Sequence, residues 1–420
     1  MNPSVGRNIQ LDVLRGVAIL LVMGRHLELP RPTGPMGLLV EAWFRIGWLG
    51  VDLFFVLSGF LIGGLLLAEA RRYGTISITR FLVRRGFKIY PAYFVFIAYL
   101  IAMPAMKAAL KGADPWVVIE TQWRLYWPNL IFLQNYVGSN PAGHTWTLAV
   151  EEHFYLLLPF LLAMLVAVGR IRMLLPICIA CGLTCLALRG LSVWTSDQFY
   201  VRMAATHLRI DALMCGVGIR AVAEYLPDWF RAMRGYRTVL ICAGAACWSL
   251  NLFIEPSTPF IRTIGLTGTY VGSAAFLVAA YNTTAGDFSR WKRLAVPLAS
   301  LIAWIGVYSY GIYLWHVTAM GMLEREVAGR LLTDASVAPA GIWLISAIVA
   351  CGGAVIVGVV TSKLVEWPLL RLRERIFPSR LTPLPTSARR ASTSETTPVT
   401  VGVDNLPLID NSLDASRQKA

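Results

Sequence analysis

LRGVAILLVMGRH, residues 14–26, is an apolar run that carries Arg15 near one end and His26 at the other. A stretch of this kind reads as part of a bilayer-spanning helix, which needs about 20 mostly apolar residues. Cations within such a helix require protein or water beside them, because hydrocarbon leaves a charge unsolvated. The rest of the chain says which solvent the run meets. Hydrophobic residues make up 56% of the 420 and charged residues only 15%, far from the roughly quarter-charged balance of soluble domains. The sequence therefore predicts an all-α, polytopic membrane protein.

About ten stretches have spanning length and apolarity, near 11–27, 46–68, 91–106, 150–168, 173–190, 204–221, 237–254, 263–281, 299–321 and 340–362. The first superficially resembles a signal peptide, but Arg15 interrupts its apolar part and no small-residue cleavage site follows, so it is read as a retained span. The net charge of +14 does not point to nucleic acid, because the basic residues sit in short connections and do not form one polar face. Membrane lipid explains them better. With the N-terminus in the cytoplasm, Arg71, Arg72, Arg80, Arg84, Arg85, Lys88, Arg170 and Arg172 fall on the inner side, as the positive-inside tendency requires. This predicts a multi-pass protein of the cell (inner) membrane with both termini cytoplasmic.

Residues 1–377 read as one transmembrane domain and 378–420 as a disordered polar tail, rich in Pro, Ser and Thr. The 7 cysteines fall within predicted spans, so no disulfide framework is expected, and Cys178, Cys181 and Cys185 are read as helix-packing residues. The longest external connection, roughly 107–149, carries Trp116, Trp123, Trp127 and Trp146 as a headgroup belt. The basic, aromatic stretch from Arg71 to Phe94 is placed at the cytoplasmic interface.

Arg15 and His26 are eleven residues apart, a step that turns about 1,100°, within about 20° of three whole turns, and rises about 16 Å. They share a face, and Asp12 lies on the same stripe, able to pair with Arg15. Arg15 snorkelling to the interface and His26 lying wet at the other end is the competing arrangement. The remaining histidines, His144, His153, His207 and His316, also lie in or beside spans, which favours a functional reading.

In HTWTLAVEEHFYLLLP, residues 144–159, Glu151 and Glu152 fall in the first turn of the fourth span, with Tyr155 one turn beyond Glu151. Adjacent carboxylates cannot share a face, so Glu151 is expected to point into the bundle and Glu152 toward loop or water, with capping as the bland alternative. IGVYSYGIYLWHV, residues 305–317, puts Ser309, Tyr313 and His316 on one stripe in the outer half of the ninth span, where core hydrogen bonding competes with direct chemistry. Arg209 and Asp211 read as a buried pair. His153 and the carboxylates beside it lack a second ligand set at helical spacing, so no metal is expected.

Six stretches, LDVLRGVAILLVMGRH, GVDLFFVLSGFLI, RFLVRRGFKIYPAY, TWTLAVEEHFYLLLP, YSYGIYLWH and VEWP, together resemble the acyltransferase family 3 membrane proteins over approximately residues 8–377. Members acylate sugars and other envelope or secreted acceptors from acyl-CoA. The resemblance implies His26 as catalytic base, by direct transfer or through an acyl-histidine. Arg15 would steady the donor or the histidine's surroundings, and Glu151 would orient the imidazole. It further implies that a basic Arg-x-x-Arg pattern, here Arg85-Gly-Phe-Lys88, meets the phosphates of coenzyme A. Lysine keeps the charge but loses the bidentate fork, so Arg80 or Arg84 would compensate. Asp12, Glu152, Tyr155, Ser309, Tyr313 and His316 would support the site. Acyl-CoA, by family weight acetyl-CoA, is the expected donor substrate, with no bound cofactor, and a carbohydrate or glycoconjugate hydroxyl the expected acceptor. Some relatives carry a fused hydrolase-like domain; the tail is too short and polar to be one, so the membrane domain is expected to act alone. A transporter or exporter of a polar metabolite is the alternative that would also place charges within spans.

Overall fold

Asn8 starts the first helix by accepting, through its side-chain oxygen, the backbone N–H groups of Gln10 at 3.0 Å and Leu11 at 3.3 Å, donors that a helix start otherwise leaves open. This is α1, Ile9–Arg25, in a computed structural model that describes residues 8–380 apart from 30, 138–141, 196–202, 284–291 and 332–338. Nearly all of the predicted tail, from residue 381 on, lies outside the described residues. There follow α2 (Gly34–Gly47), α3 (Leu49–Tyr73), α4 (Ile78–Leu110), α5 (Pro115–Leu130), α6 (Trp146–Ala167) and α7 (Leu174–Thr195). The second half comprises α8 (Thr206–Tyr225), α9 (Pro227–Ala232), α10 (Arg237–Phe253), α11 (Leu266–Tyr281), α12 (Lys292–Val307), α13 (Ser309–Leu331), α14 (Pro339–Thr361) and α15 (Trp367–Ile376). No strand occurs among the described residues.

Six helical stretches among them are long and apolar enough to cross a membrane: Gly34–Tyr73, Ile78–Leu110, Gly143–Ala167, Ile171–Val193, Ile261–Tyr281 and Ala340–Ile376. Val296–Val307 and Ser309–Val327 make a seventh if taken together, but they are bent by 79°. The expected count of about ten is not reached by length and apolarity. Helices α1 and α10 have only 17 residues each, and α8 holds Arg209, Asp211, Arg220 and Glu224 among its 20. The predicted ninth span is not one straight helix. It breaks at Tyr308, whose ring stacks on Trp367 at 5.4 Å while neighbouring Gly306 lies against the backbone of α1, so packing on both sides fixes the bend.

The basic stretch from Arg71 to Phe94, read as joining two spans, is largely helical: Arg71, Arg72 and Tyr73 end α3 and the part from Ile78 on opens α4, which runs through Pro91 and Pro104. Only residues 74–77 separate it from α3, and Gly74 makes that turn at φ 67°, a left-handed conformation natural to glycine. The external connection contains a helix of its own, α5. Its Trp116, Trp123 and Trp127 are exposed, whereas Trp146 begins α6 and faces a cavity rather than joining the belt.

Glycines bring helix axes together where the bundle is tightest. A Cβ on Gly59 of α3 would lie 1.8 Å from the carbonyl oxygen of Leu213 in α8, and one on Gly216 of α8 would lie 2.1 Å from that of Val56 in α3. The α1–α12 contact is built in the same reciprocal way, by Gly16 against Ile302 and Gly306 against Asp12, the close backbone approach that small residues permit between membrane helices. Gly59→Ala is expected to cost about 1–3 kcal/mol, read as a lower thermal midpoint of the detergent-solubilised protein. An unchanged midpoint would mean that α3 and α8 can move apart freely.

Two apolar cores result. One joins Phe55, Leu57 and Phe60 of α3 to Phe154 and Leu158 of α6 and Leu213 and Val217 of α8. The other joins Ile19 and Val22 of α1 to Tyr93 and Phe96 of α4, Ile312 and Trp315 of α13 and Ala350 of α14. Val51, Phe54 and Tyr310 touch both, and the polar cavities open at this seam.

Candidate active site

Helical spacing puts Arg85 and Lys88, three residues apart on α4, on one face, and both line an inner cavity of about 140 Å³ with Arg15 of α1 and Glu151 of α6. Ser58 of α3 and Ser309, Tyr310 and Tyr313 of α13 complete its polar wall. The Arg85 guanidinium donates to the Tyr155 hydroxyl and lies 4.1 Å from that ring's centroid. The same hydroxyl meets Ser58 Oγ at 2.5 Å, and the Glu151 carboxylate reaches both hydroxyls. Glu151 thus accepts from a network whose far end is the half-buried Arg85 cation, which is what keeps a partly buried carboxylate tolerable here. Lys88 meets Glu366, which sits in the π turn Ser362–Glu366 joining α14 to α15.

Arg15 belongs to two spaces. Its side chain is 38% exposed and lies 3.5 Å from Asp12 Oδ1. Besides the inner cavity it borders a wider one of about 510 Å³ with Asn8, Asp12, Arg220 and Tyr281. Arg80 and Arg84 turn elsewhere: Arg84 binds both oxygens of Glu374 and the Phe377 carbonyl, and Arg80 the Pro378 carbonyl. Of the four cations expected to meet phosphates, two line the inner cavity and two are held by the chain beyond α14.

His26 caps the C-terminus of α1 and lines a separate outer cavity of about 160 Å³ with Arg25, His144, Trp146, Arg209 and Tyr313. Its Nδ1 lies 2.9 Å from the Val22 carbonyl oxygen and 3.2 Å from His316 Nε2. Glu151, expected to orient this imidazole, instead partners Ser58, Tyr155 and Arg85 at the cavity lined by Arg15 and Lys88. Val51 and Tyr313 border both cavities. The Tyr313 hydroxyl donates to the His144 carbonyl at 2.6 Å and meets Thr147 Oγ1 at 2.6 Å, so a tethered ring stands between the cavities beside Val51.

Glu152 does not face loop or water. It is buried against α4, where Tyr90 donates to it at 3.1 Å. The reason is that α6 begins at Trp146, so both glutamates lie in its second turn rather than at its end. Arg209 and Asp211 are not each other's partners either: Arg209 pairs with Asp52 at 2.9 Å and Asp211 with Arg189 at 2.7 Å, since residues two apart point to different sides of a helix. His144 joins the outer site, whereas His153 bonds Thr206 and His207 bonds Tyr136. No group of three or more metal-ligating side chains occurs among the described residues. Ser58, Thr147 and Glu366 are site residues that sequence reasoning passed over. For Glu366 the signal was available, a carboxylate directly after an apolar run in VEWP.

Residues 8–362 match the acyltransferase domain family. The peptidoglycan O-acetyltransferase OatA of Listeria monocytogenes is 29% identical over 318 residues, covering 73% of this chain and 48% of that protein. The O-acetyltransferase OatA of Staphylococcus aureus is 30% identical over 321 residues, with 73% and 49% covered. The putative peptidoglycan O-acetyltransferase YrhL of Bacillus subtilis is 25% identical over 324, with 73% and 47%. The chain spans about half the length of these curated relatives. No solved structure matches it.

Proposed function

Since the chain belongs to acyltransferase family 3, we propose that it is an integral-membrane O-acyltransferase moving an acyl group, acetyl first among candidates, from acyl-CoA to a hydroxyl of a carbohydrate or glycoconjugate. The observation that carries this reading is the pair of cavities meeting at Tyr313 and Val51, one lined by Arg15, Arg85 and Lys88 and one by His26. The helices corresponding to the ten expected spans would cross the inner membrane, with both termini cytoplasmic and the basic connections inside.

An inner space of about 140 Å³ suits a short acyl thioester but not a nucleotide, so the nucleotide end would stay in the wider cavity on the other side of Arg15. Arg15, which borders both spaces, would supply positive charge to the phosphates, and Arg85 and Lys88 would hold the thioester end of the donor in the smaller one. As the acceptor oxygen bonds to the thioester carbon, its proton passes to His26 Nε2 and the carbon–sulfur bond breaks; the proton then leaves for the thiolate. An imidazole, whose ordinary pKa lies near neutrality, suits that exchange. The acyl group has to pass the Tyr313 partition to meet His26. Relatives named for peptidoglycan make glycan fragments of the cell wall the first acceptors to try.

Lys88→Met is expected to raise the KM for acetyl-CoA about tenfold, the loss of one charge-assisted contact, with kcat little changed. Because Glu366 is buried, the double variant Lys88→Met/Glu366→Gln separates loss of donor binding from loss of fold. An unchanged KM in both would remove Lys88 from the donor site. The activity itself is tested with purified protein in vesicles, acetyl-CoA and peptidoglycan fragments, by mass spectrometry of the acceptor and release of free thiol. Flux of a polar metabolite with no thiol release would favour a transporter instead.

A further inference from the structure

His316 is fully buried, 290 residues from His26 in sequence, and its ring meets that of His26 edge-on with centroids 4.9 Å apart. The hydrogen bonds around the two rings fix which nitrogens carry protons, because a backbone carbonyl can only accept. His316 Nδ1 lies 2.7 Å from the Tyr313 carbonyl oxygen and is therefore the protonated nitrogen of that ring. In the neutral ring Nε2 is left as a bare acceptor. His26 Nδ1 lies 2.9 Å from the Val22 carbonyl oxygen, so it too carries its proton, which forks between that oxygen and His316 Nε2 at 3.2 Å. The lone pair of His26 is thus at Nε2, the nitrogen that neither bond engages, on a residue that lines the outer cavity.

We infer that His316 is a positioning residue of the proposed reaction: together with the Val22 carbonyl that shares the Nδ1 proton, it fixes the orientation and tautomer of the His26 ring whose Nε2 can take the acceptor's proton. This rests on the acyltransferase reading above and adds to it the device that prepares the base. When the acceptor's O–H proton moves to His26 Nε2, the resulting imidazolium keeps donating through Nδ1 to His316 Nε2, so the charge is shared with a second ring. When the carbon–sulfur bond has broken and the proton leaves for the thiolate, the pair returns to its starting state. His316 itself gains no covalent bond and touches no substrate. The arrangement has the logic of an orienting carboxylate behind a catalytic histidine, with a neutral acceptor in its place. His144 is the third ring of the group, 5.1 Å from His316 between centroids. It is turned by its own contact, Nε2 to the Leu314 carbonyl oxygen at 3.2 Å, and so does not compete for His316 Nε2.

The test uses the full chain in lipid vesicles with acetyl-CoA and peptidoglycan fragments, comparing His316→Phe, His316→Gln and His26→Ala at equal amounts of monodisperse protein. Phenylalanine fills the space without an acceptor, and kcat should fall about 100-fold, within the range seen when a catalytic histidine loses its orienting partner, at unchanged KM for acetyl-CoA. Glutamine offers a carbonyl oxygen to His26 Nδ1 and should recover at least about tenfold of that loss. Equal losses in the two variants, or a raised KM with kcat retained, would reduce His316 to a packing residue and overturn the inference. If His316→Phe does not yield monodisperse protein, His316→Gln against His316→Leu decides in the same way. Activity lost in His26→Ala but kept in every His316 variant sinks this inference alone; activity kept in His26→Ala sinks the underlying assignment of the base.

Discussion

His26→Ala is expected to lower kcat for acyl transfer by about 1,000-fold, the scale of removing a general base, while thermal midpoint and yield stay close to those of the parent. Position makes the variant mild for folding. His26 is the C-cap residue of α1, its backbone N–H bonds the Met23 carbonyl whatever the side chain, and the ring is only partly buried. What disappears is the unengaged Nε2 of a residue that lines the outer cavity, together with the contact to His316. Arg15→Ala should give a different signature. Its guanidinium borders the inner and the wider cavity and pairs with Asp12, so the loss should fall on KM for acetyl-CoA as well as on kcat. Both variants are measured by thiol release in vesicles. Full activity in His26→Ala would leave the outer cavity without a chemical task and would move the search for a base to Glu151.

The bundle was legible wherever an apolar run is long. Helices α3, α6, α7, α11 and α14 correspond to predicted spans because lipid-facing and core-facing residues are both apolar there, and hydropathy needs no knowledge of neighbours. Helix α5 escaped notice because its residues are nearly half polar and fall in what reads as a connection, and α2 because it stops after 14 residues. The bend at Tyr308 has no proline to announce it. It depends on Gly306 meeting α1 and on Tyr308 meeting Trp367, contacts between segments far apart in sequence.

Much of the site's membership was readable from spacing within single helices: Arg15, Arg85, Lys88, Glu151, Ser309 and Tyr313 were all singled out, and one cavity gathers them. Partners within one helix were readable too, Asp12 for Arg15 and Tyr155 for Glu151; partners on other helices were not, because a stripe says which way a side chain points and nothing about what it meets. Glu151 finding Ser58 in place of His26, and His26 finding His316, are facts of helix packing. The misreading of Glu152 came from a boundary set four residues late, which turned a second-turn position into a cap. The pairing of Arg209 with Asp211 could have been rejected from the sequence itself, since two residues of helix rotate a side chain by about 200°.

That correction leads to the largest stability effect to expect. Asp52 and Arg209 are completely or almost completely buried, 2.9 Å apart, and Arg209 lies among Phe55 and Trp146 with ring centroids at 5.8 and 5.6 Å. Asp52→Ala leaves the guanidinium charged with no counter-charge at that contact, at a cost of about 3–5 kcal/mol. The thermal midpoint in detergent should drop by about 5–10 °C. The contact uses one oxygen and one nitrogen, leaving Asp52 Oδ2 and Arg209 Nε without hydrogen bonds among the described residues, so the intact pair is an imperfect one. A double replacement by apolar residues of similar size, Asp52→Leu with Arg209→Met, should therefore recover most of the lost stability, as buried pairs often do when both charges go. Arg209 also borders the outer cavity beside His26. If its charge serves only the fold, the double variant regains acyl transfer with its midpoint. If the charge also attracts the donor or steadies the oxyanion, stability returns and activity does not, and that divergence would place Arg209 in the reaction. A single variant as stable as the parent would mean that water or another acidic group reaches Arg209, and the buried-pair account of the α3–α8 contact would be wrong.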